Sequence, residues 1–193
     1  MVKVIMKQET VEVPKEVTVS VKSKVVSVKG PNGQLSKSFT KVPIQIREEL
    51  NEDKKVVAVN VRIWFANSKS KSCVKSICSH IKNMIIGVTK GFKYTLKYGY
   101  NIKPMQPSAI NNGKGIQIVN YLGDKYTRKI NCVGDSIITT KEGDPKKEIV
   151  ITGSNKEAVG LTGAMIHQSC RPKNRDKRTF KDGIYFFAKE VNE

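Results

Sequence analysis

Six basic residues fall within the eleven positions from 171 to 181: Arg171, Lys173, Arg175, Lys177, Arg178 and Lys181, with only Asp176 against them. These are side chains that grip phosphate. A guanidinium fork meets two phosphate oxygens at once, and an ammonium adds a point charge. The pattern predicts phosphate contact with little discrimination among bases, led by the three arginines. If about six phosphates are held, affinity falls with salt at a log–log slope on the order of −4 to −5. A solvated charged loop is the bland alternative. Against it, the run lies between a helix pattern and an aromatic strand pattern, Gly183-Ile184-Tyr185-Phe186-Phe187, which tie it at both ends.

Two further lysines are candidates for the same chemistry. Lys114 stands in Asn112-Gly113-Lys114-Gly115, a turn whose glycines could let backbone approach a phosphate. The turn does not open a helix after a strand, so it lacks the context of a nucleotide-binding fingerprint. A plain hairpin tip, or a tip that touches RNA through Lys114, accounts for it. Lys103 precedes Pro104, where an exposed loop is expected. Tyr94, Tyr98 and Tyr100 interleave with Lys93, Lys97 and Lys103, which suits either base stacking or a strand with one buried aromatic face. The strand is the preferred reading.

Other chemistries are poorly supplied. Cys73, Cys78 and His80 lack the spacing of a zinc site, and no Cys-x-x-Cys pair exists. The four cysteines read as reduced thiols. Glu48, Glu49, Glu52 and Asp53 are nearly consecutive and read as a solvated hairpin tip rather than converging metal ligands. His80 and His167 each lie on a helix pattern beside its apolar stripe, with no triad spacing around them. No catalytic residue, metal or cofactor is expected. The formal charge of +18 and a pI near 9.8 call instead for a polyanionic partner. No apolar stretch approaches the roughly 20 residues of a spanning helix, and the first eight residues lack a signal-peptide core. The chain is expected to be soluble and intracellular, with no membrane partner.

The elements that must position these residues follow from hydrophobic period. Val17, Val19, Val21, Val26 and Val28 alternate with polar residues, and Gly30-Pro31-Asn32-Gly33 turns the chain. Val42, Ile44 and Ile46 alternate again. Beyond a tip at Asn51-Glu52-Asp53-Lys54, Val57, Val59, Val61 and Ile63 form a return strand. Val74, Ile77, Cys78, Ile81, Ile85 and Val88 then mark one face of a helix, capped by Asn67 or Ser68 and ended by Gly87 or Gly91. Lys71, Lys75 and Lys82 lie opposite, and lysines early in a helix oppose its dipole, which hints at an anionic neighbour.

The order repeats. Strands run from Phe92 to a segment at Ile149 and Ile151. A capping box, Ser154-x-x-Glu157, then opens a second helix with an apolar face of Ala158, Leu161, Thr162, Met165 and Ser169. Val26-x-Val28 with Gly33 lies over Ile116-x-Ile118 with Gly123, about 90 positions on. The prediction is an α+β chain of two tandem duplicated domains, each a mainly antiparallel sheet with one long helix on a face. Residues 1–87 form the first and 88–193 the second, which carries the basic C-terminal segment.

The same segments carry a family pattern. They are Val28-Lys29-Gly30-Pro31-x-Gly33-x-Leu35; Ile77-Cys78-Ser79-His80-Ile81-x-Asn83-Met84-Ile85-x-Gly87-Val88-Thr89-x-Gly91-Phe92; Asn120-Tyr121-Leu122-Gly123-Asp124-Lys125-Tyr126; and Asn174-x-Asp176-x-Arg178-x-Phe180-x-Asp182-Gly183-Ile184-Tyr185. In this order, over essentially the full length, the chain resembles family six in the universal naming of large-ribosomal-subunit proteins, in its eukaryotic protein-nine type. Trp64-Phe65-Ala66-Asn67 and residues 101–110 depart from the pattern, and a bacterial-type Gly-Lys-Gly ending is absent. The resemblance implies a structural constituent of the large (60S) subunit that binds large-subunit rRNA near the sarcin–ricin loop and stalk base, where translational GTPases dock. It implies neighbouring large-subunit and stalk-base proteins as partners, a cytoplasmic ribosomal location with nucleolar assembly, and no catalysis. A free RNA-binding assembly factor or regulator is the alternative, and an RNA-processing enzyme a weaker one.

Overall fold

The structure is a computed structural model and describes every residue except 1–3, 52–55, 102, 142–146, 175, 177 and 193. Alternating apolar residues give most of the strands, and all the strand pairings among the described residues are antiparallel. The chain divides into two compact units, Met1–Lys90 and Gly91–Glu193. In the first, β1 (Val4–Glu12), β6 (Val56–Ala66) and β5 (Gln45–Leu50) form one sheet in the order β1-β6-β5. A second sheet joins β2 (Thr18–Lys22), β3 (Val25–Gly30) and β4 (Gly33–Ser38). Helix α1 (Ser68–Thr89) covers them.

The second unit repeats this order. β7 (Phe92–Gly99), β12 (Glu148–Gly153) and β11 (Ile137–Lys141) match β1, β6 and β5. β8 (Gln106–Ile110), β9 (Gly115–Val119) and β10 (Arg128–Asn131) match the smaller sheet, and α2 (Lys156–Ser169) matches α1. The strands the sequence superposes, around Val26 and Ile116, are both the central strand of a three-stranded sheet. The second unit then adds β13 (Gly183–Val191), which pairs with the free edge of β7. The predicted α+β duplication therefore holds, with the strands of each unit shared between two sheets rather than one.

Helix α1 buries Val74, Ile77, Cys78, Ile81, Met84, Ile85 and Val88 on its sheets, and Ile81 is fully buried. Asn67 precedes it in extended backbone but makes no side-chain cap. Its C-terminus is satisfied from far away in sequence. The amide of Asn32 donates to Val88 O at 2.8 Å, and Asn32 Nδ2 donates to Thr89 O at 2.8 Å. The Gly30–Gly33 turn can sit this close because a Cβ at Gly30 would stand 2.8 Å from Val88 Cγ2. Two of the family-like segments thus meet at one helix end.

Three details differ from the sequence reading. Strand β1 was not expected; its apolar residues run consecutively at Val4-Ile5-Met6 and hide the alternation that its pairing with β6 reveals. Helix α2 is capped by Asn155, whose side chain accepts from the Glu157 amide at 3.0 Å, not by Ser154. Its buried stripe is Ala158, Val159, Thr162, Gly163 and Ile166, so Leu161 and Met165 face out. The reason is close approach. A Cβ at Gly163 would stand 2.8 Å from the Phe186 ring, so the glycine side of the helix lies against the sheet.

Candidate nucleic-acid interface

The C-terminal end of α2 in the second unit gathers the basic side chains. A loop following β9 crosses it, entering through Asn120 in left-handed backbone (φ 59°) and turning at Tyr121–Gly123. Arg128, at the start of β10, fixes this loop to the helix. Its Nε donates to Ser169 O at 3.1 Å and its Nη2 to Asp124 Oδ2 at 2.6 Å. Its guanidinium lies 4.7 Å from the Tyr121 ring centroid. Its Nη1 is buried, with no hydrogen-bond partner among the described residues. Tyr121 is itself buried, and its hydroxyl donates to Asp182 O at 3.4 Å, next to Lys181. Burial, above all, pushes the Tyr121 phenol from its usual 10.0 to about 12.

Between this loop and the segment leaving α2 lies a groove of about 590 Å³, lined by Tyr121, Tyr126, Arg128, Arg171, Lys173 and Phe180 among others. Arg171 and Lys173 are exposed and pair with no carboxylate among the described residues. Tyr126 is 73% exposed. Free cations beside an upstanding aromatic face suit a nucleic acid, in which phosphates and base faces alternate along the strand.

The predicted residues divide on this geometry. Arg171 and Lys173 line the groove with Tyr121, and Lys181 is exposed next to Asp182, whose carbonyl accepts from the Tyr121 hydroxyl. Lys103 joins them: it is exposed in a loop, and a Cβ at Gly123 would stand 2.5 Å from its ammonium nitrogen. Lys114 does not join. It is exposed at the β8–β9 tip, at the opposite end of β9 from Tyr121, in a plain hairpin turn with positive φ at Asn111, Asn112 and Gly113. Arg178 is exposed but engaged, with Nε 3.2 Å from both Asp176 oxygens and Nη2 2.9 Å from Oδ2. Those bonds hold the Asp176 carboxyl below the usual carboxylate range. Arg175 and Lys177 lie outside the described residues.

Arg128, Tyr121 and Tyr126 were not candidates from sequence. The signal was present as opposite charges four residues apart, Asp124 and Arg128, in a segment holding two tyrosines. The tyrosines of β7 follow the strand reading: Tyr94 and Tyr98 are buried. Tyr100 carries Lys147 Nζ 4.3 Å over its ring.

Elsewhere, His167 Nδ1 meets Ile184 O at 2.5 Å and His80 Nδ1 meets Lys37 Nζ at 3.3 Å, so both histidines are satisfied. The cysteines are free thiols, and burial raises those of Cys78, Cys132 and Cys170. The solvated acidic tip is corrected in part. Glu48 and Glu49 lie on β5, where their carboxylates accept from the Val21 amide and from Asn60 Nδ2. Glu52 and Asp53 lie outside the described residues. Among the described residues, no three His, Cys, Asp or Glu side chains gather as a metal site requires, and no helix is long and apolar enough to cross a membrane.

Comparison with known proteins bears on the same segments. A family model described as Ribosomal protein L6 matches residues 13–91 and 111–183. Large ribosomal subunit protein uL6A of Schizosaccharomyces pombe is 37% identical over 181 residues, covering 94% of this chain and 92% of its own. Large ribosomal subunit protein uL6 of Saccharolobus solfataricus is 38% identical over 191 residues, covering 98% and 99%. The uL6 of Tetrahymena thermophila is 35% identical over 181 residues, covering 94% and 93%.

Proposed function

The chain belongs to the ribosomal protein L6 family, and from that membership we propose that it is a non-enzymatic structural constituent of the large ribosomal subunit, bound to large-subunit rRNA. The observation that carries the rRNA reading is the groove at the end of α2, where Arg171 and Lys173 stand free beside Tyr126 on a loop fixed by Arg128. Preorganisation matters here. Cations held on a stiff frame lose less freedom on meeting a folded RNA than cations on a loose tail. Lys103 and Lys181 extend the surface around Tyr121, and Arg175 and Lys177 belong to the same basic run. Arg178 contributes less, because Asp176 already occupies its fork. Lys114 is at most a separate contact from the far end of β9.

The finer placement comes from the family resemblance. The rRNA contacted lies by the sarcin–ricin loop and the stalk base, and the protein supports the region where translational GTPases dock. Its partners are that rRNA and the neighbouring large-subunit and stalk-base proteins. Its place is the cytoplasmic ribosome, and nucleolar assembly follows in a eukaryotic cell.

The test is incorporation. Arg171→Ala, Lys173→Ala and Lys181→Ala together should leave the melting temperature of the isolated protein nearly unchanged, since each is an exposed change worth within about ±0.5 kcal/mol. The triple variant should lose stoichiometric co-sedimentation with large subunits after a moderate salt wash. Full retention of the variant would remove the groove from the interface. A wild-type chain found only in free fractions would favour an assembly factor.

A further inference from the structure

The two units are copies with one difference. In the second, the chain returns after α2 as β13, which lies along the edge of β7 and tucks beneath the helix. Ile184 is fully buried there, and the Phe186 ring meets Gly163 of α2. In the first unit the chain leaves after α1, and the matching edge belongs to β1. Among the described residues β1 pairs with β6 alone. Among the described residues no strand pairs in the place that β13 fills in the copy.

The vacant edge has a definite chemistry. The Val13 amide donates to Val57 O at 2.8 Å. Because antiparallel pairs alternate and the register from Glu12 to Met6 is unbroken, the amides of Met6, Gln8, Thr10 and Glu12 point away from β6, toward the open side. Two shallow grooves run along that side between β1 and α1. Lys7, Lys71, Lys75 and several serines line the first, and Thr10, Glu12, Lys82 and Ile86 line the second. Helix α1 has no acidic residue in its first turn, and Lys71, Lys75 and Lys82 pair with no carboxylate among the described residues. The lysines early in α1, unfavourable against the helix dipole, therefore flank an unpaired strand edge.

We infer that the β1 edge takes an extended strand from a neighbouring protein, added in the position β13 holds in the second unit, with carboxylates at alternate positions facing the α1 lysines. The edge supplies main-chain hydrogen bonds and the lysines supply selection. A second copy of this chain is disfavoured, since lysine on an edge repels its own kind. This inference rests on the ribosomal reading, because the neighbour is one met in the large subunit.

The experiment compares backbone hydrogen exchange in the free protein and in purified large subunits carrying it. The amides of Met6, Gln8, Thr10 and Glu12 should exchange about a hundredfold more slowly in the subunit, as newly bonded edge amides do. A photo-cross-linking benzoylphenylalanine placed at Ser72, exposed on the groove, should yield a product that protease removes and RNase leaves. Reversing Lys71, Lys75 and Lys82 to Glu should abolish that product while the protein still co-sediments through its second unit. Unchanged exchange, a cross-link to RNA only, or a product indifferent to charge reversal would each overturn the inference and leave the ribosomal reading standing. Failure of the unsubstituted chain to co-sediment would overturn both.

Discussion

Arg128 and Arg178 look alike in sequence, each four or fewer residues from an aspartate, yet do different work. Arg128 ties a loop to a helix end and stacks over Tyr121, whereas Arg178 closes a turn on its own neighbour in full solvent. The buried Tyr121 gives a test at this scale. Its folded phenol ionises near 12, against 10.0 for the ordinary group. Below pH 10 the phenol is neutral in both states and its contribution is fully present. Above pH 10 the unfolded chain ionises first and is favoured, so that contribution is lost as pH rises toward 12. It is worth on the order of 2 kcal/mol. The melting temperature should therefore fall more steeply between pH 10 and 12 in the wild type than in Tyr121→Phe; parallel slopes would place the phenol in water.

At the scale of elements, the helices are held as much by their ends and closest approaches as by their stripes. Asn32 satisfies the last carbonyls of α1, and Arg128 does so for Ser169 of α2. In both units the reach comes from the connection between the middle strand of the small sheet and the strand that follows it. Ile81, at 0% exposure, sits in the middle of the α1 stripe. Ile81→Asp would bury an unpaired charge, so about half the chain's far-ultraviolet circular dichroism should be lost at room temperature as the first unit unfolds. The α1 stripe was legible because bulky residues recur at helical spacing. The α2 stripe was legible only in part: Ala158 and Thr162 are buried as expected, but Leu161 and Met165 compete with Val159 and Ile166 for the apolar face, and Gly163, which makes the close approach, carries no hydrophobic signal.

For the whole molecule, net charge is the governing quantity. A charge of +18 on 193 residues repels itself in the compact state, and the ion pairs among the described residues are few and at least partly exposed. Raising sodium chloride from about 0.05 M to 0.5 M shortens the screening length from more than 10 Å to well under it. The isolated protein should then melt a few degrees higher. A lower midpoint would mean that attractive pairs outweigh the repulsion. The same excess explains the expected loss of rRNA affinity with salt, so stability and binding should move in opposite directions along one titration.

Charge balance, the two helices, the duplication and the family are properties of residues along the chain, and the sequence determined them by itself. Periodicity and composition survive without coordinates. Which cations are free was decided only in three dimensions. Asp176 engages Arg178, the length of β9 separates Lys114 from the groove, and Arg128 becomes a fixing point because α2 ends beside it. The open edge of β1 is likewise visible only once β13 is seen covering its counterpart. Coulomb attraction, hydrogen bonding and packing depend on distance through space, and pairings between strands far apart in the chain set those distances.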